Sequence, residues 1–136
     1  LLRTRLRELM EQIGSRLPVY VTFTKMDLLY GFGPLVRTLS KQDKEQVLGF
    51  TFSLEGQPDN DDWLNQFADR YTAMVERLTD RLPDVLANTR GAEERAAAYS
   101  FTRQLAGLKP VLEYFLTDLL SADAFSTPAM VRGTYF

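Results

Sequence analysis

Residues 17–29 limit the possible folds of this chain more than any other stretch, because a regular alternation of side chains leads straight into a polar turn. In an extended segment one face would carry Leu17, Val19, Val21 and Phe23, and the other Tyr20, Thr22 and Thr24. This two-residue period, rich in β-branched and aromatic residues, predicts a strand. Lys25 and Asp27 follow it, so both are expected at the carboxyl end of a strand, where open α/β sheets bind their ligands.

The turn residues Thr24, Lys25 and Asp27 form a candidate site for a purine base. A carboxylate only accepts hydrogen bonds, so Asp27 could take two from the ring N–H and the amine of guanine, whereas adenine presents the opposite pattern. Lys25 could lay its methylene groups over the face of the purine. The alternative is that Asp27 caps the next helix and that Lys25 is solvated.

A glycine-rich segment, residues 31–34, lies shortly after this turn. Glycine-rich loops can bind phosphate, but this one lacks the Gly-Lys-Ser/Thr ending of a P-loop and contains a proline, which has no N–H to donate. We therefore expect a loop that directs Phe32 onto the core.

A second strand is predicted over residues 46–54, where apolar side chains again alternate with small or polar ones. The buried face of this strand would carry Leu48, Phe50, Phe52 and Leu54. A strand, a helical or irregular link and a second strand in this order favour a parallel pair with a right-handed crossover. These observations predict an α/β fold that contains two parallel strands.

Helical periodicity accounts for most of the remaining chain. An amphipathic helix is predicted by the spacing of Leu2, Leu6, Leu9 and Ile13, and Gly14 would end it. A longer helix begins at Asn60 or Asp61, and its apolar stripe is expected in the core: Trp63, Phe67, Tyr71, Met74, Val75, Leu78 and Leu82. Pro83 closes or kinks this helix.

The last part of the chain is predicted to contain two more helices and one extended segment. The helices would cover residues 91–106 and 108–120, with Pro110 in the first turn of the second, where the missing N–H costs nothing. Residues 130–136 are expected to be extended, as a third strand or as an arm.

Composition excludes several classes of chemistry. The chain has no cysteine and no histidine, which excludes disulfides, thiol catalysis, Cys-zinc sites and histidine general bases. A net charge of −2 gives no electrostatic reason to expect a nucleic-acid partner. No apolar run is long enough to span a bilayer. The chain begins without methionine, so we expect it to be a piece of a longer protein.

Three separated pieces of the sequence together resemble the IcmF/TssM family, the inner-membrane scaffold subunit of bacterial type VI secretion systems. The pieces are residues 17–29 with Gly31 and Phe32, residues 46–52 and residues 131–136; residues 95–101 are also similar. The resemblance covers essentially the whole chain. Several motifs in one order are far more specific than a single Thr-Lys-x-Asp turn.

The resemblance implies that residues 1–58 are the distal part of a P-loop GTPase-like sheet and that residues 59–136 are a helical extension, so that helices dominate overall. It assigns Thr24, Lys25 and Asp27 to base recognition and places the backbone of Ser53 near the base. The phosphate-binding loop would lie upstream of Leu1. GTP with magnesium is therefore expected only in a longer parent, and no cofactor, metal or catalytic residue is expected in this chain.

The resemblance also implies a location and partners. The parent would span the bacterial inner membrane, with this region on its cytoplasmic side, and would contact a small membrane-anchored subunit of the same complex and the baseplate proteins. Two functions follow: a structural and interaction module, or an active GTP-binding NTPase. A third alternative is an autonomous helical adaptor whose resemblance to the GTPase turn is accidental. It would require the first two strands to be absent.

A further expectation concerns the edge of the first strand. A GTPase-like sheet places the strand that leads into the P-loop at its centre, and without that strand the edge of residues 17–23 has no partner. Exposed apolar strand edges pair readily with other chains. We therefore expect the chain to associate with itself through this strand.

Overall fold

The computed structural model describes residues 1–53, 62–121 and 129–136. The elements, in chain order, are α1 (Leu2–Ile13), β1 (Pro18–Thr22), a 3-10 helix (Met26–Leu28), α2 (Phe32–Thr38), α3 (Lys41–Lys44), β2 (Gly49–Thr51), α4 (Asp62–Asp80), α5 (Leu82–Asn88), α6 (Ala92–Leu120) and β3 (Met130–Tyr135). Helices dominate, as predicted. Among these helices none is both long and apolar enough to cross a membrane.

The three strands form one mixed sheet in the order β1-β3-β2. β3 lies parallel to β1, with Thr134 opposite Val21, and antiparallel to β2, with Thr134 opposite Phe50. The expectation that residues 130–136 are extended is therefore confirmed, and this segment is the central strand rather than an arm.

The predicted parallel pairing of the first two strands is wrong. β3 separates them, and β2 runs in the opposite direction to β1. The right-handed crossover rule applies to two parallel strands of one sheet, and here the parallel partner of β1 is β3, which follows the long α6. β2 is also shorter than predicted. Phe50 and Phe52 are buried as expected, Leu48 is half-buried, and Leu54 lies outside the described residues.

The hydrophobic core lies between one face of the sheet and the long helices. Phe50 packs on Phe67 with ring centroids 5.8 Å apart, and Phe52 packs on Trp63 at 6.1 Å. Val131 of the central strand is completely buried. The predicted stripe of α4 is confirmed at its four best-buried positions: Trp63, Phe67, Tyr71 and Met74.

A buried hydrogen bond joins α4 to α6. The Tyr71 hydroxyl donates to the main-chain carbonyl of Leu105 at 2.7 Å, and neither residue is exposed. Burial raises the pKa of Tyr71 from its ordinary value of 10.0 to about 12, because an apolar environment disfavours the phenolate.

The predicted break near residue 107 is absent, because α6 is one continuous helix of 29 residues with Pro110 inside it. A proline in a helix interior removes one backbone hydrogen bond and costs about 3 kcal/mol. Leu105 and Leu116, on either side of Pro110, are completely buried. Burial of apolar side chains on both sides offsets this cost and keeps the two halves in one helix.

The predicted helix α1 and its end are confirmed, whereas three of its four predicted apolar positions are exposed: Leu2 by 66%, Leu9 by 45% and Ile13 by 48%. Gly14 adopts a left-handed conformation with φ 65° and donates its N–H to the carbonyl of Met10. Met10 is buried in the core, and Arg3 forms an ion pair of 3.7 Å with Asp118 of α6. α1 therefore packs on the same side of the sheet as α6.

The opposite face of the sheet is open in the described part of the chain. Tyr20 is 55% exposed there and lies 6.3 Å from the Tyr135 ring, and the Tyr135 hydroxyl is 3.0 Å from that of Thr51. The sheet therefore has one apolar, covered face and one face of aromatic and hydroxyl side chains.

The predicted division into residues 1–58 and 59–136 stays a prediction, because its boundary lies outside the described residues. The two parts share one hydrophobic cluster, which contains Leu35 and Phe50 together with Phe67 and Leu116. The second part also supplies the central strand of the sheet.

Candidate functional site

The candidate turn follows β1 and is anchored at its start by Phe23. The Phe23 N–H donates to the carbonyl of Tyr135 at 2.8 Å, which extends the β1–β3 ladder by one residue. The Phe23 ring stacks on Phe136 at 5.4 Å and meets the edge of Phe115 at 6.0 Å. The backbone and ring contacts of Phe23 therefore fix the point at which the chain leaves the sheet.

Lys25 has an unusual backbone conformation. Its φ of 64° and ψ of 34° are left-handed, and among the described residues it alone has a positive φ without being glycine. A side chain in this conformation costs about 1–2 kcal/mol. The 3-10 helix Met26–Leu28 starts at this point, and the Leu28 N–H donates to the carbonyl of Lys25 at 3.1 Å. Met26 packs against the core, whereas the side chains on either side of it are exposed.

The structure brings Thr24, Lys25 and Asp27 together in one exposed turn at the carboxyl end of β1. The side chains of Lys25 and Asp27 make no hydrogen bond or ion pair with the rest of the described chain. Asp27 does not cap the next helix, because the N-cap of α2 is Gly31 and no side chain bonds there. Of the two alternatives for Asp27, the helix cap is therefore wrong. Both charges are free to meet a ligand or solvent.

The expected contribution of Ser53 to this site is wrong. β2 runs antiparallel to β3, so its carboxyl end lies level with Gly133, whereas the end of β1 lies level with Tyr135. Ser53 is therefore at the other end of the sheet, where its N–H donates to Gln66 Oε1 at 2.9 Å. The resemblance to GTPase-like folds implied a position near the turn, because it implied that the two strands are parallel.

Gly31 serves close packing, which agrees with the expectation that this loop directs Phe32 onto the core. Gly31 has φ 89°, and a Cβ atom there would lie 1.8 Å from the carbonyl oxygen of Ala97. Phe32 is half-buried and meets the edge of Phe101 at 5.7 Å. The glycine thus allows α2 to approach α6 closely.

A cavity of about 760 Å³, which lies next to the turn, was not foreseen from the sequence. Met26 contributes to its wall, Leu35 and Met74 to its apolar lining, and Arg81 and Asp43 form an ion pair of 3.3 Å at its rim. Its volume is in the range of small-molecule sites. No local motif could have revealed it, since α2, α4 and the residues before β2 each supply a part.

Metal binding has no support in residues 1–53, 62–121 and 129–136, where no group of three or more carboxylates is arranged to hold an ion. The turn offers one carboxylate and one ammonium group. A carboxylate accepts hydrogen bonds and an ammonium group donates them.

Comparison with known protein families decides the relationship. The IcmF-related N-terminal domain matches residues 1–136, the whole chain. The chain belongs to the IcmF-related family. This confirms the resemblance to the IcmF/TssM family that the three sequence pieces indicated.

A curated relative gives the same result. The chain is 33% identical over 135 residues to the type VI secretion system component TssM1 of Pseudomonas aeruginosa, and the alignment covers 99% of this chain. It covers 12% of the length of that relative. No solved structure matches the chain.

Proposed function

We propose that this IcmF-related chain is a structural and interaction module of a type VI secretion membrane complex, built on a GTPase-like scaffold. The observation that carries the proposal is the 33% identity to a type VI secretion component along nearly the whole chain. We further propose that the parent lies in the bacterial inner membrane with this region on the cytoplasmic side. Its partners are the small membrane-anchored subunit of the complex and the baseplate proteins.

An exposed apolar surface beside the turn supports an interaction role. The turn lies along α6, because Phe23 contacts Phe115 and the Gln104 side chain donates to the carbonyl of Tyr30 at 2.9 Å. Those two α6 residues are about 16 Å apart at the rise of an α-helix. The surface, named here the α6 patch, consists of Val111, Tyr114 and Phe115.

The side chains of the α6 patch are well exposed for apolar residues. Val111 is 61% exposed, Tyr114 76% and Phe115 38%. Positions 111, 114 and 115 share one helix face because residues three and four apart are neighbours on a helix. Contiguous exposed apolar surface of this kind marks protein interaction sites more often than isolated residues do.

Binding to purified partners tests this function. The small membrane-anchored subunit and the baseplate proteins of the same bacterium are titrated with the chain, and saturable binding to at least one of them is expected. Val111→Asp combined with Tyr114→Asp should weaken that binding at least about tenfold, since buried aromatic contacts dominate interfaces. Tyr99→Asp is the control, because Tyr99 is 51% exposed and lies about 22 Å from Tyr114 along the same helix. No binding to any partner would refute the proposal.

The second candidate function is GTP binding by the parent, with GTP and magnesium held together by this turn and an upstream phosphate loop. Its support is the geometry of Thr24, Lys25 and Asp27, whose exposed side chains follow a strand end. The Asp27 carboxylate would accept the two guanine donors, and the Lys25 stem would cover the purine. Phosphoryl transfer would require groups outside this chain.

Nucleotide titration separates the two functions. The cytoplasmic region of the parent is titrated with fluorescent GTP and with fluorescent ATP. The second candidate requires saturable binding of GTP in preference to ATP, and loss of that preference in Asp27→Ala. Asp69→Ala, which removes an exposed carboxylate from α4, should leave it intact. Equal binding by wild type and Asp27→Ala would remove the GTP-binding function and leave the interaction module.

A further inference from the structure

A second cavity adjoins the one that lies beside the turn. The floor of the first, which has a volume of about 760 Å³, is formed by Leu35, Met74 and Phe101, each at most 2% exposed. The second has a volume of about 420 Å³, and most of its lining residues are polar. Asp43 and Arg81 contribute to both cavities. The two cavities therefore form one cleft with an apolar half and a polar half.

An ion pair lies where the two halves of the cleft meet. The Arg81 guanidinium is 3.3 Å from one carboxylate oxygen of Asp43, and the Ser40 hydroxyl donates to the other oxygen at 2.7 Å. The protein itself therefore satisfies the Asp43 carboxylate, and Arg81 balances its charge. This junction does not require a charged ligand as a counter-ion.

The other charges around the apolar half do not favour either sign. Its lining contains two further cations, Lys44 and Arg77, and two further carboxylates, Asp80 and Asp84. All four residues are exposed. A net charge on a ligand would therefore meet attraction and repulsion of similar size.

The polar half offers uncharged hydrogen-bonding groups. The carboxamide side chains of Gln42 and Gln46 line it and make no hydrogen bond with the rest of the described chain. The Asn88 amide nitrogen donates to the carbonyl of Asp84 at 2.8 Å, which leaves the Asn88 side-chain oxygen as an acceptor. A carboxamide both donates and accepts hydrogen bonds, as a hydroxyl group does. Hydroxyl groups on a ligand would therefore find partners here.

We propose that this cleft binds a small amphipathic molecule with an apolar chain and an uncharged head group that carries hydroxyls. The chain enters the apolar half, where burial of apolar surface drives binding, and the head group bonds to the carboxamides of the polar half. The described lining contains no residue of the α6 patch and neither Lys25 nor Asp27. The proposal is therefore independent of both candidate functions.

Calorimetric titration of residues 1–136 tests the chemistry of the head group. Octyl glucoside, octanoate and octylammonium share one apolar chain and are used below the concentrations at which they form micelles. Octyl glucoside should bind saturably and at least about tenfold more tightly than either ion, because only its head group suits the polar half. Absence of saturable octyl glucoside binding, or binding of either ion within tenfold of it, would overturn the proposal.

Two substitutions test the location of this binding. Leu78 is half-buried in the wall of the apolar half, so Leu78→Trp should occupy part of the cavity and weaken octyl glucoside binding at least about tenfold. Ala73→Trp is the matched control, since it adds the same side chain at an exposed position of α4 outside the lining. Unchanged binding by Leu78→Trp, or an equal loss in Ala73→Trp, would place the ligand elsewhere and refute the proposal.

A third substitution does not depend on changing the core. Gln42→Ala combined with Gln46→Ala removes two exposed carboxamides and should weaken octyl glucoside binding about fivefold while leaving octanoate binding unchanged. The titration with octyl glucoside is repeated on the cytoplasmic region of the parent, where the same affinity is expected. Loss of binding there would show that another segment fills the cleft, and an equal effect on both probes would remove the role of the carboxamides; either result contradicts the proposal.

Discussion

Replacement of Tyr71 by phenylalanine should change stability by an amount that depends on pH. Tyr71→Phe keeps the aromatic ring in the core and removes the hydroxyl that donates to Leu105 at 2.7 Å. The net contribution of such a hydrogen bond is about 1 kcal/mol. At pH 7 the wild type should therefore be more stable than the variant by about this amount.

The advantage should reverse in alkali because the folded state holds the Tyr71 proton more tightly than the unfolded state. The pKa of this group is about 12 in the fold and 10.0 in an ordinary environment. A raised pKa contributes stability that is complete below pH 10 and is lost as the pH rises through 12. The loss is about 1.4 kcal/mol at pH 11. Wild type and Tyr71→Phe should therefore have equal stability between about pH 10.5 and 11.

Urea unfolding at a series of pH values measures this difference. The chain has a single tryptophan, and Trp63 is 3% exposed in the core, so its fluorescence reports unfolding. Other groups titrate equally in both proteins and cancel in the difference. Tyr114→Phe is the control for the loss of a hydroxyl group, since Tyr114 is 76% exposed. A wild-type advantage that stays constant from pH 7 to 11 would refute the reasoning.

Three further substitutions have expected outcomes in the same unfolding assay. Gly31→Ala should cost about 3 kcal/mol because the new Cβ atom would collide with the Ala97 carbonyl, whereas Gly14→Ala, with open space around it, should cost about 1 kcal/mol. Lys25→Gly should stabilise the fold by about 0.5 kcal/mol, since glycine adopts the left-handed conformation without strain; a loss of stability would contradict that backbone. Asp27→Ala should change the free energy of unfolding by less than about 0.5 kcal/mol. A loss of ligand binding in this variant would then not be caused by unfolding.

Periodicity was a reliable guide where one element buries one face. The pattern of α1 predicted a helix that the structure contains, although most of its predicted apolar stripe is exposed. The aromatic stripe of α4 predicted a helix whose apolar face is buried. The alternation in residues 17–23 predicted β1 for the same reason. Pro110 was a misleading signal, because burial of its neighbours outweighs the local helix penalty. The energy gained by that burial depends on tertiary packing, so it cannot be predicted from the local sequence.

Strand pairing and the cavity depend on contacts between distant residues, and local patterns could not predict them. Residues 130–136 read equally well as a strand or an arm, and only the packing of Val131 and Thr134 makes them the centre of the sheet. That pairing decides the direction of β2 and moves Ser53 away from Lys25 and Asp27. The turn itself was predictable because its three residues are consecutive or nearly so.

The central position of β3 has a consequence for how the polypeptide folds during synthesis. β1 and β2 emerge from the ribosome long before Met130–Tyr135, the strand that each of them pairs with in the described sheet. Long-range strand pairing is slow to form, and unpaired strands are the species that aggregate. A nascent chain paused within α6 therefore still lacks the strand that joins β1 to β2.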